Sequence, residues 1–167
     1  MDGKIKLKIR IMATTIIISI VLLAAYIIGA SVKLGRCPES LTELATVFDW
    51  PWRVLWFAAI WGAAVFAAPS AVEHSSDETM FLAYITVVAV VIYSMCARLD
   101  DGVDTTITAI AGWTAIIASQ LVAVTNHWWV ALLWIPAVVL IIIRKSAQWK
   151  FIATLTAIIT FYIHCII

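Results

Sequence analysis

Six stretches of this chain, Ile11–Ala30, Val54–Ser70, Met80–Ala97, Thr105–Val124, Trp128–Ile143 and Phe151–Ile167, run without a single Asp, Glu, Lys or Arg. A helix rises about 1.5 Å per residue, so about 20 such residues cross the roughly 30 Å hydrocarbon core of a bilayer. Where no water reaches, the backbone must satisfy itself, which leaves helices or a closed barrel. The apolar runs are continuous and do not alternate with period two, and that selects helices. The composition agrees, at 64% hydrophobic and 13% charged residues, against roughly half and a quarter in an ordinary soluble domain. The predicted fold is an all-α integral membrane protein in one domain, a compact bundle of about six transmembrane helices.

Between the first two stretches, residues 37–52 are too polar to cross a bilayer and too regular for a plain loop. Ser40 followed by Glu43 reads as a capping box, and Leu41, Leu44, Ala45 and Phe48 then fall at i, i+3, i+4 and i+7. Glu39, Thr42, Thr46 and Asp49 lie opposite, and Trp50-Pro51-Trp52 closes the element. The pattern predicts a short interfacial amphipathic helix near 40–49, lying on the membrane surface; the competing reading is an ordered segment that caps the bundle. Pro136, near the middle of the fifth stretch, predicts a kink there.

Small residues recur on two stretches: Ala59, Gly62, Ala63 and Ala67 on the second, and Thr105, Thr108, Gly112, Ala115 and Ser119 on the fourth. Such stripes let helix backbones approach closely in lipid. Trp50, Trp52 and Trp149 suit one aromatic belt and Trp128 and Trp129 the other, with Trp61 and Trp113 expected deeper as packing residues. The second and fifth stretches are both rich in tryptophan and carry proline, the outline of an inverted repeat.

Six crossings sort the connections onto two sides. Side A takes the N-terminus, residues 71–78, residues 125–127 and the C-terminus; side B takes the rest. The first run, preceded by Lys4, Lys6, Lys8 and Arg10, is longer than a secretory-signal core and reads as a retained anchor. Those four cations argue for a cytoplasmic side A, whereas Lys33, Arg36, Arg53, Arg98, Arg144, Lys145 and Lys150 crowd side B. We take the first helix as decisive and expect a cytoplasmic N-terminus. The run from Arg98 through Asp100, Asp101 and Asp104 is expected to face Arg144, Lys145 and Lys150, opposite charges tying the side B loops, with a cation site on the aspartates as the alternative.

Lys and Arg together number 11 and Asp and Glu 10, so no basic excess exists to attract nucleic acid. Cys37, Cys96 and Cys165 form no ligand motif. No ionisable residue sits at mid-membrane, which disfavours proton relays and ion-coupled transport. Gln120 is the most costly polar side chain to bury and is expected inside the bundle, either hydrogen-bonded there or lining a pore. His74, His127 and His164 all fall on side A, with Asp77, Glu73 and Glu78 near the first. Neutral imidazoles, a carboxylate and an open position are what catalytic zinc uses. His74, His127, His164 and Asp77 are therefore the candidate metal ligands, with Ser70, Ser75 or Ser76 assisting; no tight pair such as His-x-x-x-His supports them, and the plain reading is interfacial packing.

Pro38-Glu39-Ser40-Leu41-Thr42-Glu43, Phe81-Leu82-Ala83 and Ser119-Gln120 resemble short motifs of a diffuse group of small multi-pass bacterial and phage membrane proteins of unknown function. Members carry a histidine early in the fourth span, where this chain has threonines. In residue types alone, His74, His127, His164 and the Ser70–Asp77 stretch are similar to the membrane hydrolases that include alkaline ceramidases and adiponectin-receptor-like proteins, which hold zinc with three histidines plus Ser and Asp. Those have seven spans and a paired-histidine motif on the last, both missing here.

The reading these features support is a non-enzymatic multi-pass protein of the inner (plasma) membrane, without a cofactor, acting by association in the bilayer. Its partners would be membrane lipid and a second copy or another protein, as an oligomer, a pore, a defence-type effector or the membrane subunit of a larger assembly. The alternatives are a metal-dependent intramembrane hydrolase that uses zinc, and a passive small-solute channel or transporter.

Overall fold

Gly35 closes the first helix in the left-handed conformation (φ 70°), its N–H reaching the carbonyls of Ser31 and Val32 at 3.1 Å each. Only glycine takes that turn without strain, which makes it a natural helix stop. The computed structural model describes residues 3–46, 49–97, 102–144 and 148–167, and every element among them is helical. In order these are α1 (Gly3–Leu34), α2 (Leu41–Thr46), α3 (Trp50–Glu73), α4 (Met80–Cys96), α5 (Gly102–Asn126), a 3-10 helix (Trp128–Leu133), α6 (Trp134–Arg144) and α7 (Trp149–Ile166). Four of them, α1, α3, α5 and α7, are long and apolar enough to cross a membrane; α4 and the 3-10/α6 rod are shorter apolar helices.

The rods alternate in direction. Asn126, at the end of α5, accepts a hydrogen bond from the Ser76 N–H (3.1 Å) in the α3–α4 link and donates to the Thr79 hydroxyl (3.0 Å). At the other end the Phe151 N–H of α7 bonds the Glu39 carbonyl (3.2 Å), in the link between α1 and α2. The connections thus gather at two ends, those expected as sides A and B.

The capping box is present in modified form. Ser40 Oγ accepts the Glu43 N–H (3.2 Å), while the Glu43 carboxylate reaches one residue further back, to the Glu39 N–H (2.7 Å), and pairs with Arg36. The apolar face of α2 turns into the bundle: Leu41, Leu44 and Ala45 are 5%, 1% and 2% exposed, packed with Leu23, Tyr26, Ala30 and Trp56. Two hydrogen bonds turn it inward, from the Tyr26 hydroxyl to the Leu44 carbonyl (2.7 Å) and between the Thr42 and Tyr93 hydroxyls (2.8 Å). A six-residue helix leaves much of its backbone polarity at its ends, so it gains from partners on the bundle. Phe48, assigned to the same face, lies outside the described residues.

At Pro136 the rod changes form: the proline falls in the first turn of α6, where its absent N–H would have had no helical partner, and the residues before it wind as a 3-10 helix. That rod has little in common with the 24-residue α3, so the apparent repeat ends at composition. The deep tryptophan is Trp56, at 0% exposure, with Trp61 and Trp113 at 40% and 50%. Trp56 stacks edge-on with Tyr26 (centroids 5.6 Å apart) and donates to the Ser94 carbonyl (3.3 Å), while Trp61 donates to the Ser94 hydroxyl (2.6 Å). The expected side B ion pairs of Arg98, Asp100, Asp101 and Lys145 lie outside the described residues, as do the side chains of Asp104 and Arg144.

Replacing Trp56 by Ala empties the centre of this cluster and is expected to cost about 3–5 kcal/mol. Tyr26→Phe, which removes one hydrogen bond, is expected to cost about 1 kcal/mol. Unfolding titrations in mixed detergent check both, and equal losses would show that the tether of α2 matters as much as the packing beneath it.

Candidate functional site

At side A the histidines gather in part. His164 is fully buried on α7, its Nε2 3.2 Å from the Ser75 hydroxyl and 3.3 Å from the Ala71 carbonyl, and its ring centroid lies 5.6 Å from that of His127. His74 turns back on its own helix, with Nδ1 2.8 Å from the Ser70 carbonyl. Asp77, Glu73 and Glu78 are exposed. Among the described residues, which include His74, His127, His164 and Asp77, no group of three or more His, Cys, Asp and Glu side chains is arranged to hold a metal ion.

Ser75 and His164 also lack the wiring of a nucleophile and its base. The Ser75 proton is engaged by the Ala71 carbonyl at 2.6 Å, and His164 Nδ1, where an orienting carboxylate would sit, is buried without a partner. Ser70 is likewise engaged, donating to the Cys165 carbonyl at 2.5 Å. This rim joins α3, α5 and α7 through packing and hydrogen bonds.

Gln120 is a bracket across three helices. Its Oε1 accepts from Trp134 Nε1 and from the Thr160 hydroxyl, both at 2.8 Å, and its Nε2 donates to the Ala157 carbonyl and to Ser119 Oγ, both at 3.2 Å. The amide is held between α5, α6 and α7, inside the bundle and hydrogen-bonded there.

The feature with room for chemistry lies toward side B. Helix α4 packs on α3 and α5, and α7 on α5 and α3, and inside this ring is a cavity of about 480 Å³. Small residues form part of its walls: Ala63, Ala64 and Ala67 from α3, Gly112 and Ala115 from α5, Ala153 and Ala157 from α7, beside larger ones such as Ile60, Val90 and Phe161. Ser40, Leu41 and Thr42 bring α2 to its wall, and exposed Trp113, Trp149 and Lys150 stand at its mouth. From Lys150 to Phe161, both lining, α7 rises about 17 Å.

Most of the lining hydroxyls are engaged. Thr86, Ser119 and Thr154 bond the carbonyls of Leu82, Ile116 and Lys150 at 2.8 Å each, Tyr93 bonds Thr42, and Tyr162 bonds Ser19. Thr108 differs: it is 7% exposed, and its Oγ1 is buried with no hydrogen-bond partner. A buried hydroxyl left unpaired is costly, which makes it a place where a guest's polar atom would be stabilised.

The small-residue stripes therefore serve both packing and the cavity. Gly62 serves close packing, since a Cβ there would come within 3.0 Å of Leu22. Gly112 admits the Tyr93 ring, 3.3 Å from where its Cβ would be. Ala63, Ala67, Thr108, Ala115 and Ser119 also line the cavity, while Ala63 and Ala67 at the same time belong to the buried packing clusters; the side chain of Thr105 lies outside the described residues. The reading of stripes as helix contacts missed the cavity because it took each helix separately. The signal was present in Ala153 and Ala157, which place a third small face on α7.

Comparison of the chain with protein-family models, curated proteins and solved structures yields no match.

Gln120→Leu is expected to lower stability by about 2 kcal/mol, from three interhelical bonds of roughly 0.6 kcal/mol each, and to leave solute flux in liposomes unchanged. A change in flux without loss of stability would favour the pore assignment.

Proposed function

We propose that this chain is a six-span, non-enzymatic protein of the cell's inner membrane, with its N-terminus in the cytoplasm, that works by taking an apolar guest from the bilayer into the cavity between α3, α4, α5 and α7. The single observation that carries this reading is the cavity. Packed interiors keep few voids larger than a water molecule, whereas ligand pockets run from about 300 to 1,000 Å³, and this one measures about 480 Å³.

Six crossings are supported by length. The 3-10 helix and α6 cover 6 and 11 residues, and at 2.0 and 1.5 Å per residue they reach about 28 Å. The 17 residues of α4 reach about 26 Å, a mismatch that a bilayer accommodates at small cost. Large side chains exposed along the outer faces, among them Val21, Ile28, Ile110, Ile117 and Ile142, suit a lipid-facing surface. The absence of catalytic wiring at Ser75 and His164, and of a ligand set among the described histidines, favours binding over hydrolysis.

Native mass spectrometry of the detergent-purified chain is expected to find a stoichiometric apolar adduct that disappears in Ala115→Phe, a substitution that fills the cavity. A chain free of adducts in both forms would overturn the reading. Orientation is tested with the exposed Cys37 on side B: a membrane-impermeant maleimide is expected to label it in intact cells and not to label Cys37→Ser. Labelling only after lysis would put side B inside.

A further inference from the structure

Resting on the cavity reading above, we infer that the guest is a single-chain anionic amphiphile, its head held at the mouth by Lys150 and Thr108 and its chain lying along the alanine walls. The cavity is polar at one end and apolar at the other. Lys150 is exposed at the mouth, its ammonium 5.8 Å over the Trp149 ring, and among the described residues no carboxylate pairs with it. Thr108 lines the same end: Trp113, little more than one turn further along α5, has its ring centroid 6.4 Å from that of Trp149. Its unpaired hydroxyl can donate a hydrogen bond, and the Lys150 ammonium lining the same cavity supplies the charge that a carboxylate or phosphate head requires.

Further in, the hydroxyls of Thr86, Ser119 and Tyr162 are bonded within the protein, so that end offers an incoming molecule apolar walls and no free hydroxyl proton. A small polar solute would leave this end of the cavity unused, and a neutral hydrocarbon would leave Thr108 and Lys150 unpaired. A head with one chain matches both ends. The tryptophans beside Lys150 suit the same placement, since indole rings favour the level where headgroups meet hydrocarbon.

The test supplies palmitic acid and hexadecanol together, at equal concentration, to the full chain in a nonionic detergent and counts bound adducts by native mass spectrometry. The acid is expected to exceed the alcohol by about tenfold, as a charge-assisted contact is stronger than a neutral one. Lys150→Gln is expected to abolish that preference while alcohol binding persists. Thr108→Val is expected to lower both by about threefold, because either head accepts its proton. Equal binding of acid and alcohol, unaffected by Lys150→Gln, would overturn the anionic head and leave the cavity reading standing. A two-chain phospholipid that outcompetes the acid would overturn the single-chain assignment. Failure of both probes to bind, or equal binding by Ala115→Phe, would bring down the cavity reading itself.

Discussion

Helices that are apolar on every side cannot be oriented by burying a hydrophobic face, so this bundle depends on the few polar groups placed between them. Ser19 bonds the Ala63 carbonyl at 2.7 Å and meets the Tyr162 hydroxyl, joining α1, α3 and α7. Ser94 receives Trp56 and Trp61 from α3, and Gln120 binds α5 to α6 and α7. Each bond is modest, yet each selects one rotation of a helix about its axis. The inward rotation of the alanine faces follows from these choices.

From that rotation comes the cavity. Interiors ordinarily fill to the density of organic crystals, and here the rings that could fill the space are tied down: Tyr93 lies on the wall against Gly112, Trp56 against Tyr26, and Trp61 toward the outside with its N–H on Ser94. Alanines remain to line the gap. The α2 helix completes its wall by packing inward where an amphipathic pattern alone allowed it to lie outward.

At the opposite end, three histidines reach the same rim and do different things. His164 is buried against Ser75 and Ala71, His127 lies beside it, and His74 bonds its own helix. Residue types that recur in metal hydrolases are present, but their lone pairs do not converge. Chemistry depends on direction as well as proximity, and here the hydrogen bonds to Ser70 and Ala71 set the direction.

The amino-acid sequence by itself determined that the chain is helical and that a capped helix follows the first rod, because hydropathy, glycine stops and capping are local properties. It also placed all three histidines at one end, since alternating rods leave no other arrangement. What only the tertiary structure decided is which face of each rod turns inward. With apolar residues all round, α3, α5 and α7 carry no strong local signal of facing, and α2 has two apolar surroundings to choose between. Long-range hydrogen bonds between residues far apart in the chain, such as Ser19 with Ala63 and Gln120 with Thr160, make that choice. The unpaired Thr108 hydroxyl and the Lys150 mouth are consequences of it.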